Sequence, residues 1–190
     1  MAIAGTHKEP IPAPLQDEIM PESGWEPGQR ETAVFAGGCF WGVQSVFQRV
    51  KGVEKTTVGY SGGAKVTADY RIVSTGRTGH AEAIEIIYDP AKVSYGTLLR
   101  IFFSVVHDPT QLNRQGNDIG TQYRSAIFPQ SPEQKAAAER VIARANASGK
   151  WKRPITTSIE PASTWYSAEK YHQDYLKKNP GGYTCHFMRD

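Results

Sequence analysis

A chain of 190 residues, 39% hydrophobic and 22% charged, has the size of one domain and enough apolar material to bury its own core. Its net charge of +3 is mild, and no Lys/Arg run is dense enough to read as a nucleic-acid or membrane patch. No apolar run approaches the roughly 18 residues of a membrane span, and there is no phosphate-cradling glycine loop followed by Lys-Ser/Thr.

Residues 1–30 read as a proline-rich extension without helical or strand period, and residues 31–190 as the folded domain. Leu15, Ile19, Met20 and Trp25 could still dock the extension on the body. Its start lacks the apolar region of a secretory signal, so the expected compartment is the reducing cytoplasm. Two cysteines, Cys39 and Cys185, lie too far apart for a disulfide scaffold or a zinc site and leave a transient disulfide open.

From Glu31 the punctuation becomes regular. Residues 32–36 are a β-rich run ending at Gly37-Gly38, and 41–50 follow with Val43, Val46, Phe47 and Val50 at helical spacing. Residues 53–60 read as a strand, 64–80 as a loop with a short helix near 69–74, and 81–88 as a strand stopped by Asp89-Pro90. Ser94 caps a predicted helix to about Val106 with Leu98, Leu99, Phe102 and Val105 on its apolar face. The polar stretch 110–121 reads as turns, and 123–128 as a strand. Ser131-Pro132-Glu133-Gln134 starts a helix to about Ala147. A strand at 155–160 and a helix at 167–178 complete the set, before a tail without period. This mixture predicts an α+β two-layer sandwich, a mixed β-sheet with helices on one face and a ferredoxin-like core.

The stretch Ala36-Gly37-Gly38-Cys39-Phe40-Trp41-Gly42 holds the clearest chemistry. Cys39 sits between a strand and a helix, where unpaired N–H groups of the first turn favour thiolate over thiol. A small buried core cysteine is the competing reading. Phe40 and Trp41 read equally well as core filler or as walls of an apolar pocket. A nucleophile acting on an oxygenated centre needs a proton source, for which Glu82, Glu85, Asp118 and the histidines are candidates. Period two puts Glu82 with Ile84 and Ile86, and Glu85 with Ala83 and Ile87. Either carboxyl could keep its proton on an apolar face, and Glu82 is expected at a rim. His80 or His107 could form a protease-type dyad with Cys39; His172 reads as a surface residue. Tyr60, Tyr70 and Tyr123 are hydrogen-bond donors in reserve. Cys185 follows a Pro-Gly-Gly break, so a mobile tail could carry it to Cys39 as a resolving thiol.

Five motifs in order, GCFWG (38–42), GYSGG (59–63), TGHAEAIEIIYDP (78–90), HDPTQLNRQGNDIGTQYRSAIF (107–128) and YHQDYLKKNP (171–180), resemble the A-type peptide methionine sulfoxide reductases. The resemblance covers about residues 31–186. It implies a two-layer α+β fold and reduction of the S epimer of methionine sulfoxide, free or in proteins, with no metal or organic cofactor. It makes Cys39 the nucleophile, Glu82 the proton donor and Cys185 the resolving cysteine. Phe40 and Trp41 become the walls for the substrate methyl group, and Tyr70, Asp118 and Tyr123 the polar groups around the sulfoxide oxygen. It implies recycling by thioredoxin. A monomer without nucleic-acid or membrane partners is expected. Some family members carry a second recycling cysteine in a longer Gly-rich tail; Cys185 stands alone here.

Overall fold

The computed structural model describes residues 25–186. Leu15, Ile19 and Met20 lie outside the described residues, as does most of the expected extension. The strands are β1 (Glu31–Gly37), β2 (Val53–Ser61), β3 (Ala81–Tyr88), β4 (Arg114–Gln115), β5 (Asp118–Ile119), β6 (Ser125–Ile127), β7 (Ser158–Ile159) and β8 (Tyr166–Ser167). The helices are α1 (Phe40–Phe47), α2 (Tyr70–Val73), α3 (Tyr95–Ile101), α4 (Pro132–Ala147) and α5 (Tyr175–Lys178). A π-helical turn, Phe102–Val106, continues α3.

Six strands make one mixed sheet in the order β7-β6-β1-β3-β2-β8. Only the β6–β7 pair is parallel; β3 lies antiparallel between β1 and β2. Alternation along the central strands sets the layers. Phe35, Ile84 and Ile86 meet Phe47 of α1, Leu98 and Leu99 of α3, Phe102, Phe103 and Val141 of α4 in one buried cluster. Burying each such side chain contributes roughly 1.5–3 kcal/mol. The opposite face is lined by Ala36, Ala81, Ala83 and Ala126, with Phe128 and Trp165 over them. The expected α+β sandwich with helices on one face is therefore the observed one. Among the described residues no helix is long and apolar enough to cross a membrane.

Local signals hold where they are strongest. Ser94 Oγ accepts from Thr97 N at 3.0 Å, and Ser131 Oγ from Gln134 N at 3.1 Å, so both capped helices start where their sequence says. Elsewhere tertiary bonding overrides pattern. The helix expected over 167–178 is instead strand β8, a run of turns and the single turn α5. Its backbone and side chains bind the edge of β2: Ala168 N donates to Val58 O, and Gln173 Oε1 and Nε2 bond Val58 N and O at 2.9 and 2.8 Å. Asp174, with φ of 57°, then turns the chain out of any continuous helix. The strand expected at 155–160 shrinks to two residues, because Thr156 N donates to Pro109 O outside the sheet. Within the stretch expected to be turns, β4 and β5 form a small hairpin. The strand expected at 123–128 is preceded by a 3-10 turn, Thr121–Tyr123, leaving β6.

Candidate active site

Cys39 is the N-cap residue of α1 and only 6% exposed. Gly38, at φ of +94°, makes the sharp exit from β1 that places it there. The N–H of Trp41 pulls the thiol toward ionisation, as a helix start should. Burial, and next the charge of Glu82, push it further the other way, so the resting Cys39 is a thiol well above the ordinary range. The pull toward thiolate expected from the helix start is thus present, but it is a local feature, and the desolvation that outweighs it is tertiary.

Glu82 lies on the helix-covered face of β3 with Ile84 and Ile86, whereas Glu85 lies on the other. At 2% exposure it is not at a rim but at the floor beneath α1. Its Oε2 accepts from Phe40 N at 3.1 Å. Burial, only partly offset by that bond, pushes its carboxyl up to about 8. A neutral carboxylic acid therefore sits at neutral pH beside a neutral thiol, the state required of a proton donor.

Tyr70 and Tyr123 look onto this pair. Burial, and next the Glu82 charge, raise both phenols, so each remains an O–H donor. Arg124 braces the Thr121–Tyr123 turn, donating to Thr121 O and Gly79 O and pairing with Glu160 through two bonds of 2.8 Å. Trp41 is half-buried and stacks flat on Tyr175 of α5, centroids 3.7 Å apart. Its Nε1 donates to His172 Nδ1 at 3.0 Å. Phe40 is fully buried against Val58, Tyr60 and Val73, with His172 5.2 Å away between ring centres. Of the two expected walls, Trp41 is the one with exposed surface.

The tail is packed down rather than swung away. Cys185 is partly buried, and its sulfur faces the backbone N–H of Cys39. Burial pushes its thiol up to about 12; the Cys39 N–H lowers it and Asp118 raises it. Asp118 Oδ1 accepts from Tyr183 OH at 2.9 Å, while its Oδ2 is buried with no hydrogen-bond partner among the described residues. Thus Cys39, Glu82, Tyr70, Asp118, Tyr123 and Cys185 converge on one site.

The histidines fall differently from expectation. His80 binds Gly63 N and Ala64 O, and His107 binds Phe102 O and Ser125 Oγ, so their ring nitrogens are committed to structural partners rather than to a dyad with Cys39. His172, expected at the surface, is 1% exposed beneath Trp41. His186, which the sequence offers only as one of the histidines, packs against the Cys39 loop; its adjacency to Cys185 is the available signal.

The family model described as "Peptide methionine sulfoxide reductase" matches residues 31–190. "Peptide methionine sulfoxide reductase MsrA 2" of Mesorhizobium japonicum is 59% identical over 79% of this chain and 77% of its own length. "Peptide methionine sulfoxide reductase MsrA" of Deinococcus radiodurans is 53% identical over 85% of this chain and 79% of its own. The crystal structure of Mxr1 from Saccharomyces cerevisiae in reduced form superposes with a TM-score of 0.78, at 35% identity, covering 87% of this chain and 96% of that one.

Proposed function

The chain belongs to the peptide methionine sulfoxide reductase family, and on that premise we propose that Cys39, Glu82 and Cys185 carry the reduction of the S epimer of methionine sulfoxide. The observation that supports this most is the pairing at the floor of the site: a neutral buried acid beside the Cys39 thiol, with a second thiol against the Cys39 N–H. The sulfoxide sulfur is the electrophile and its oxygen the group to be protonated.

In the first step the Cys39 sulfur bonds the sulfoxide sulfur while Glu82 protonates the oxygen and takes up the hydrogen Cys39 loses. Collapse moves the hydroxyl to Cys39, releasing the thioether and leaving a sulfenic acid. Sulfur in the substrate is reduced by two electrons and Cys39 is oxidised by two. Tyr70 and Tyr123, kept as O–H donors, hold the oxygen. Trp41 receives the methyl group, supported by Tyr175 and His172; Phe40 backs the same wall from the core. Asp118 orders the far side. In the second step Cys185 attacks the sulfenic sulfur, giving a disulfide and water. An external dithiol, thioredoxin in this reading, reduces that disulfide.

No metal or organic cofactor enters these steps. A cycle that depends on a dithiol suits the cytoplasm, and the protein acts as a monomer built from the domain at 31–190, behind the extension 1–30. Repair of oxidised proteins is the role. The test is turnover of a peptide carrying each sulfoxide epimer, with dithiothreitol as reductant. The S epimer should be consumed and the Cys39→Ser variant should be inert; activity retained in that variant would overturn the assignment.

A further inference from the structure

Besides the Tyr183–Asp118 bond, one buried ring ties the tail to the Cys39 loop. His186 is buried, and its Nε2 lies 2.6 Å from Gly37 O. A carbonyl oxygen only accepts, so Nε2 carries the ring hydrogen and Nδ1 presents a bare lone pair. That Nδ1 lies 3.4 Å from Cys185 Sγ. The ring sits in a hollow kept open by glycine. A Cβ at Gly42 would come 2.6 Å from His186 Cγ and 2.7 Å from Thr184 Oγ1, and one at Gly38 would come 3.2 Å from Nε2. The backbone N–H of His186 donates to Thr184 Oγ1 at 3.0 Å, fixing the turn that delivers the ring.

We propose that His186 is a catalytic residue of the resolving half-reaction: it seats the tail on the Cys39 loop through Nε2 and takes the Cys185 proton through Nδ1. This rests on the reading above, which supplies the sulfenic acid on Cys39. Cys185 needs such a base, since its burial favours the thiol. The step balances. The Cys185 S–H bond breaks and its proton passes to His186 Nδ1. The sulfur lone pair forms the bond to Cys39 as the S–O bond breaks. The oxygen leaves with the proton that Glu82 holds, as water, and the imidazolium returns one proton through solvent. Asp118 also faces Cys185 and raises its thiol, with Oδ1 engaged by Tyr183; it is the rival acceptor that the test below distinguishes.

The test measures both half-reactions in one sample. Reduced protein is mixed with an S-sulfoxide peptide without reductant and quenched in acid over time. Methionine reports the first step, and mass mapping of the Cys39–Cys185 bond the second, with dimedone trapping the sulfenic acid between them. His186→Gln keeps a donor for Gly37 O and removes the base. The ratio of bond formation to methionine formation should fall about 100-fold, the low end of a general base's contribution, and trapped sulfenic acid should rise. An unchanged ratio would overturn the proposal and leave Asp118 or solvent as the acceptor. If that variant makes no methionine, His186→Ala with added imidazole decides: restored bond formation supports the proposal, and none overturns it. Absence of methionine from the wild-type protein would instead sink the reductase reading itself.

Discussion

Replacing Glu82 by Gln should stabilise the protein while disabling it. The carboxyl is buried beneath α1 and pushed from 4.5 up to about 8, chiefly by desolvation. Between these values the native state binds more protons than the unfolded chain, so stability falls as pH rises from about 4.5 to about 8. The difference corresponds to on the order of 3 kcal/mol lost by pH 7 and about 5 kcal/mol by pH 9. A glutamine cannot ionise, and its oxygen can still accept from Phe40 N, so the variant escapes the penalty. The assay is urea unfolding of both reduced proteins at pH 4.5, 7 and 9 and constant ionic strength. The gain of Glu82→Gln over wild type should be near zero at the lowest pH and grow to a few kcal/mol at the highest. Turnover should fall roughly 10²–10⁴-fold. A stability difference that does not change with pH would refute the buried-acid argument, whatever the activity.

Three further outcomes follow from the same geometry. Cys185→Ser should still form about one methionine per chain, then stall with a Cys39 sulfenic acid that dimedone captures; this is read by single-turnover mass analysis. Gly42→Ala sets a methyl against the His186 ring, so Cys39–Cys185 bond formation should slow more than methionine formation, at least tenfold in their ratio, in quenched time courses. Trp41→Ala removes the Tyr175 stack and the His172 bond; it should cost about 1–3 kcal/mol in unfolding experiments and raise KM severalfold for sulfoxide peptides.

Much of the fold is legible because its signals are local. Alternation along 81–88 separates Glu82 from Glu85, and the caps at Ser94 and Ser131 mark helix starts that the structure keeps. The failures share one cause, bonding between residues far apart in sequence. Residues 167–178 carry helical spacing, but Gln173 and Ala168 bind the edge of β2, about 110 residues away, and that pairing decides. The net ionisation of Cys39 is hidden for a related reason: the helix start that favours thiolate is written in the sequence, and the burial that outweighs it is not. His172 becomes a buried support for Trp41 only because α5 is folded onto α1. His186 gains its meaning from Gly37 and Gly42, which nothing in the tail announces.

The most direct measurement of the central claim is stoichiometric. Reduced wild-type protein would be mixed with a racemic methionine sulfoxide peptide and no external reductant, and the methionine formed per chain counted by epimer with disulfides mapped by mass. The account predicts about one methionine per chain, from the S epimer alone, with Cys39 joined to Cys185. No methionine, or the same yield from the Cys39→Ser variant, would contradict it.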